Sequence, residues 1–309
     1  MTNPSTTPTA MVFCRPILPA TAPGAAPYWR IVLRGCSQCC FQTNEVTGAI
    51  FVLAVLTYSW RLAAFMSIGA LVGSAVGLVL KADRFLIELG LFGFNSCLTG
   101  LALGNFFDQG GRVWLAVAVL TAITAIVAHI MIKLLPMPVL AAPFLLTFWL
   151  FWPIAGQLGL NKLDFPPFVD EDVRYIGATM SAMGATLFAG TVLAGSLFLL
   201  GLLISNWRHA VLAFTAALIA HTIAVWWVVP GQEINSGLAG FNAVLAAVAI
   251  YALVETDIRL ALLGSIVASA ALPLFTRLHL IPLAGGFVAT TWVVIFIGWF
   301  QARYVNPDQ

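Results

Sequence analysis

Long apolar runs separated by isolated charges dominate the chain from Tyr28 onward. Charge-free stretches cover Leu62–Leu80, Leu89–Phe107, Val113–Ile132 and Leu134–Asn161. After a polar break they resume over Tyr175–Trp207, His209–Gln232, Ile234–Val254, Leu260–Thr276 and Leu278–Ala302. A bilayer core about 30 Å thick takes roughly 20 apolar residues per helix, so these runs read as membrane-crossing helices. They are apolar all round, as helices facing lipid or other helices are. Some exceed one crossing and hold breakers inside: Pro136, Pro138 and Pro143 in one, Pro282, Gly285 and Gly286 in another. Irregular backbone at membrane depth survives only where it lines a cavity or is buried in protein, which predicts re-entrant half-helices there. The break, Asn161 to Arg174, holds the densest charge and the pair Pro166-Pro167. The chain therefore divides into a flexible tail (1–28, with no secretory-signal pattern), a first transmembrane repeat (29–160), a polar linker (161–173) and a second repeat (174–304).

The two halves echo each other. Gly93-Phe94-Asn95 recurs as Gly240-Phe241-Asn242, an offset of 147 positions, and at the same offset Phe41 matches Phe188 and Gly48 matches Gly195. Phe144, Thr147 and Trp149 recur as Phe287, Thr290 and Trp292 at a slightly shorter offset. Weak symmetry with Pro/Gly-interrupted segments at corresponding places points to a transport site at the repeat interface. Five crossings per half, an odd number, would invert the second half. The expected fold is an all-α polytopic membrane protein. It has about ten transmembrane helices in two inverted five-helix repeats, with re-entrant half-helices lining a central pore whose helix ends meet near the midplane.

Composition sharpens this. Apolar residues make up 61% of the 309 and charged ones 8%, against about 25% charged in soluble domains. With mean hydropathy of +0.98, the surface must meet membrane lipid. A scattered net charge of +2 excludes a nucleic-acid surface and disorder. The five cysteines (Cys14, Cys36, Cys39, Cys40, Cys97) are odd in number and read as packing residues. His129, His209, His221 and His279 lack metal spacing and read as packing or hydrogen-bonding groups. Glu88, four residues past Arg84, reaches the membrane interface, so no deep charge marks a proton relay. No metal, cofactor or enzymatic motif such as Gly-x-Ser-x-Gly or His-Glu-x-x-His is found. What remains is aromatic and amide chemistry. Phe41, Phe94, Phe188 and Phe241 occupy repeated positions, where facing rings make a slot for a planar solute. Gln38 lies one turn before Phe41 and both donates and accepts. Asn95 and Asn242 either join helices or touch solute.

Three segments resemble the urea transporter family. Arg34-Gly-Cys-Ser-Gln38-Cys-Cys-Phe41-Gln-Thr-Asn44 is similar to its entrance motif. Gly93-Phe94-Asn95-Ser-Cys-Leu98-Thr-Gly100-Leu-Ala-Leu resembles its Gly-aromatic-Asn segment, and Met137-Pro138-Val-Leu-Ala-Ala-Pro143-Phe144 its Leu-Pro-x-x-Thr-x-Pro-Phe box. The resemblance implies ten helices in two inverted halves, a homotrimer with one pore per subunit, and passive, channel-like urea flux. It implies slots formed by Phe41 with Phe94 and by Phe188 with Phe241, with Gln38 as an oxygen partner and Leu98 beside the pore. Departures stand out. The box threonine is Ala141 in one half and Ala284 in the other, the partner of Gln38 falls on Ala185, and Gly286 replaces a proline. Each buried hydrogen bond left unmade costs about 1–3 kcal/mol, which raises the barrier to urea or retunes the pore. The expected function is passive transport of urea or a small amide. Alternatives are a pore of the same fold for ammonia or water, and a non-transporting membrane scaffold. Arg15, Arg30 and Arg303 flank the ends, and with an even span count they put both termini in the cytoplasm, across a plasma (bacterial inner) membrane.

Overall fold

In the computed structural model the described residues are 26–301, without 109, 255, 256, 272–274, 276 and 279. The expected tail thus lies outside the described residues up to 25, as do Cys14, His279 and the end of the second repeat beyond 301. The protein is an all-helical, multi-pass membrane protein. Among the described residues there is no sheet, only an isolated bridge between Phe107 and Lys162.

Seven helices make the first half: α1 (Tyr28–Ser37), α2 (Glu45–Tyr58), α3 (Trp60–Val79), α4 (Arg84–Glu88), α5 (Leu91–Phe106), α6 (Gly111–Leu134) and α7 (Ala142–Phe151). No helix forms from Gly159 to Arg174. The second half then follows with α8 (Tyr175–Ala185), α9 (Val192–Ser205), α10 (Trp207–Trp226), α11 (Gly231–Asn235), α12 (Phe241–Leu253), α13 (Ile258–Ala270) and α14 (Gly285–Phe300). Among the described residues these helices correspond in order between the halves, and so do their starts. Asn44 and Thr191 cap α2 and α9 through side-chain oxygens, and Ser59 and Asn206 cap α3 and α10 in the same way.

The least common backbone conformations also recur in pairs. Positive φ occurs at Phe41 and Phe188 (both 59°), Lys81 and Val228 (51° and 57°), Gly90 and Gly237 (86° and 85°), and Leu140 and Leu283 (51° and 42°). Left-handed non-glycine residues are uncommon, so their repetition reflects one backbone design used twice. Close packing repeats as well. A Cβ on Gly48 would fall 2.0 Å from Leu33 O, and one on Gly195 would fall 1.6 Å from Met180 O, the equivalent carbonyl.

Among the described residues three helices are long and apolar enough to cross a membrane alone: α3, α6 and α10. A fourth candidate is α1 with its 3-10 turn Gln38–Cys40 taken together with α2, bent by 70°. Several long apolar runs are therefore broken pieces rather than single crossings. The run Tyr175–Trp207 divides at Phe188 and again at Asn206. On α6, Leu115, Val119, Ile123, Ile126 and Ile130 form an exposed apolar face, opposite buried Val117, Leu120, Thr121, Thr124 and Ala128.

The halves meet along α2 and α9. Thr47 Oγ1, near the start of α2, donates to Gly201 O near the end of α9 at 2.8 Å. One turn on, Phe51 stacks on Phe198 with ring centres 4.6 Å apart and planes 11° from parallel. The two helices thus run antiparallel. Phe51 and Phe198 occupy equivalent positions at the offset of 147. A second pair of contacts is reciprocal: Trp149 Nε1 donates to Ile281 O and Trp292 Nε1 donates to Pro138 O, both at 2.9 Å.

Candidate functional site

A cavity of about 870 Å³ lies between the halves, and its wall gathers Phe41, Phe94 and Leu98 from one with Ala185, Phe188, Phe241 and Ala284 from the other. Phe41 and Phe188 reach it from matching left-handed turns, closed by Phe41 N to Gln38 O and Phe188 N to Ala185 O, both at 3.0 Å. Phe94 and Phe241 come from the first turns of α5 and α12. Each left-handed phenylalanine also meets a ring from the opposite half edge-on. Phe41 lies 6.0 Å from Phe287 at 79°, and Phe188 lies 6.4 Å from Phe144 at 86°. Rings supplied by both halves thus line the cavity at the interface.

Gln38, Asn95, Ala141 and Asn242 are not on this wall. Asn95 Nδ2 donates to Leu140 O at 3.0 Å while its Oδ1 accepts from Phe144 N at 3.1 Å. Asn242 repeats this with Leu283 O and Phe287 N, both at 2.9 Å. Each amide thus bridges two backbone groups, the joining role open to it. They pin the first turns of α7 and α14 just after the left-handed Leu140 and Leu283. Gln38 is buried behind the wall, its Nε2 donating to Thr43 Oγ1 at 2.9 Å and Leu89 O at 3.0 Å. Of the two box alanines, Ala284 faces the cavity and Ala141 is fully buried beside it.

The wall also holds residues that the sequence reading passed over. Phe144 and Phe287 stand there; their place in the repeat beside Trp149 and Trp292 was the available signal. Phe106 extends the aromatic surface toward the linker, 6.5 Å from Phe188 and 5.6 Å from Phe165. Glu233 and Arg277 bring the wall's charge. Each closes an apolar run in the sequence, so it reads there as a boundary mark. Burial lifts the Glu233 carboxyl above its ordinary value.

Uncharged polar side chains on the wall include Asn105, Thr186, Ser236 and Ser269, and a charged cluster lies away from it inside the first half. Glu45 Oε1 accepts from Arg30 Nε at 2.7 Å and from Arg34 Nε at 2.9 Å, and Arg34 Nη1 donates to Glu88 O at 2.9 Å. All three side chains are buried. Two guanidiniums around one carboxylate are viable there because each charge has a partner. The corresponding second-half positions are Gly177, Ser181 and Val192, so this cluster has no counterpart. Gln42 Nε2 lies 2.9 Å from His209 Nδ1. Cys36, Cys39, Cys40 and Cys97 are buried. Among the described residues no group of acids, thiols or imidazoles is arranged to hold a metal.

A family model described as "Urea transporter" matches residues 29–298. Urea transporter 1 of Rattus norvegicus is 26% identical over 238 residues, covering 71% of this chain and 62% of that protein. Urea transporter 1 of Ovis aries is 24% identical over 245 residues, 74% of this chain and 64% of its own length. Urea transporter 1 of Mus musculus is 24% identical over 239 residues, with shares of 71% and 62%. The chain spans a little under two thirds of the length of each of these relatives.

Proposed function

We propose that this chain, which belongs to the urea transporter family, is a passive pore for urea or a small urea-like amide, and not an enzyme. The observation that carries this is the wall that Phe41, Phe94, Phe188 and Phe241 share in one interface cavity. A planar solute sheds its hydration sheet between such rings, and its N–H edges meet their π faces. The names of the relatives support urea as the solute. The pore runs between two inverted repeats, 29–160 and 174–304, joined by the 161–173 linker, with ten membrane-crossing units in all. Antiparallel packing of the equivalent helices α2 and α9 about Phe51 and Phe198 supports inversion, since an axis along the helices would leave them parallel. The assembly is a homotrimer in a plasma (bacterial inner) membrane, with both termini cytoplasmic.

Two wall positions, Ala185 and Ala284, offer a methyl group where a passing amide needs an oxygen. They favour a second reading in the same fold, a pore tuned to a less polar neutral solute. Stopped-flow measurements on proteoliposomes with urea, acetamide, ammonia and water in parallel decide between the two. Urea or acetamide permeability well above that of protein-free vesicles supports the first. Permeability confined to ammonia or water gives the second.

A further inference from the structure

The two halves do not present the same chemistry to the cavity. In the first half Gln38 stands one turn before its slot phenylalanine, buried behind the wall, and in the second half the same position is Ala185, on the wall. The second half also brings a carboxylate to that wall. Glu233 sits on the short helix α11, half-buried, and lines the same cavity as Ala185 and Ser236.

The packing around Gly190 sets how near these groups are. A Cβ built there would lie 2.5 Å from Ser236 O and 3.8 Å from the Ala185 Cβ. The end of α11 is therefore about one side chain away from Ala185. Ser236 follows Glu233 by three residues, so the two lie on one face, and Ser236 Oγ donates to Glu233 O at 2.7 Å.

Another part of α11 is held by the linker. Gly231 N donates to Asp170 Oδ1 at 3.3 Å, Gln232 Oε1 accepts from Val169 N at 2.9 Å, and Asn235 Nδ2 donates to Glu171 Oε1 at 2.7 Å. These bonds use the neighbours of Glu233 and leave its carboxylate out. Among the described residues Glu233 has no ion pair. A half-buried carboxylate facing an apolar cavity, on a helix anchored through its neighbours, has no structural partner that accounts for it.

We propose, resting on the pore reading above, that Glu233 is a solute-contacting residue: its carboxylate accepts the N–H groups of an entering urea or primary amide, supplying the oxygen that Ala185 lacks. A carboxylate presents two oxygens in one plane, and urea presents two N–H donors along one edge, so the pair fits in a bidentate arrangement. The class of solute selected is a planar amide with paired N–H donors. Replacing every N–H by N-methyl, as in tetramethylurea, removes the match.

The test uses the full chain in proteoliposomes, with urea and tetramethylurea, which has no N–H donor, as solutes. Glu233→Ala is expected to lower urea permeability about tenfold, as loss of a charged hydrogen-bond acceptor at the barrier would. It should leave tetramethylurea permeability close to that of wild type. Glu233→Gln, which keeps one acceptor oxygen, should fall between the two. Adding Ala185→Gln to Glu233→Ala should restore urea flux, because the new amide enters the same space. Wild-type urea permeability in Glu233→Ala overturns the inference, and so does a loss that Ala185→Gln fails to restore or that strikes both solutes alike. Absence of urea and amide flux in the wild-type protein itself would instead overturn the pore reading.

Discussion

Asn95 and Asn242 each serve a backbone that has turned left-handed and left a carbonyl and an N–H without helical partners. Each amide answers both in a fully buried place. Asn95→Ala or Asn242→Ala strands those groups, and a buried unmet group costs about 1–3 kcal/mol. Each variant should melt several degrees below wild type in detergent, and a melting temperature equal to wild type would refute the joint. The recurring Gly-Phe-Asn in the sequence marks these positions as special. It leaves their role open, because asparagine offers the same donor and acceptor to a solute as to a carbonyl. The alanines divide on similar grounds. Ala284 borders the cavity, so Ala284→Thr adds an oxygen to open volume and should raise urea permeability. Ala141 is sealed in packed protein. Ala141→Thr should leave permeability unimproved while overpacking costs about 1–3 kcal/mol, read as a lower melting temperature.

Helices in this molecule are placed by backbone approach as much as by apolar surface. Gly48 brings α2 onto the end of α1, and Gly195 brings α9 onto α8, at distances that no Cβ tolerates. Gly48→Ala and Gly195→Ala should each cost more than ordinary overpacking and sharply reduce monodisperse protein on size exclusion. Gly110→Ala, where a Cβ meets nothing within 4 Å, is the control and should express normally. Much at this scale is legible in the sequence. The matched pair Gly48 and Gly195, the Pro-rich approach to α7 and the Gly-rich start of α14 all announce themselves. The turns at Phe41 and Phe188 do not, because bulky residues occupy a left-handed conformation usually left to glycine. Nor does α11, five residues long and bounded by Pro230, since a single turn has no periodicity to read.

Across the whole molecule, the repeat seen as scattered matches in sequence becomes a pairing of helices, caps and unusual backbone angles. The direction of the second half relative to the first rests on which equivalents touch. The span count in the sequence points to inversion, and the stacking of Phe51 on Phe198 supports it. Lys81 and Val228 are equivalent, exposed and left-handed. In a cysteine-free background, Lys81→Cys and Val228→Cys should react with an impermeant maleimide from opposite sides of sealed vesicles. Labelling of both from one side would refute inversion. Two halves built alike still open onto unlike mouths, because the charges on the wall, Glu233 and Arg277, both come from the second. For a neutral solute crossing a passive pore, this unlikeness does no thermodynamic work. Detailed balance ties the inward and outward rate constants together, so equal concentrations on the two sides give no net flow whichever mouth binds better. What the asymmetry sets is the concentration at which each direction saturates. Entry from the Glu233 side levels off first, and the two curves coincide in the dilute limit.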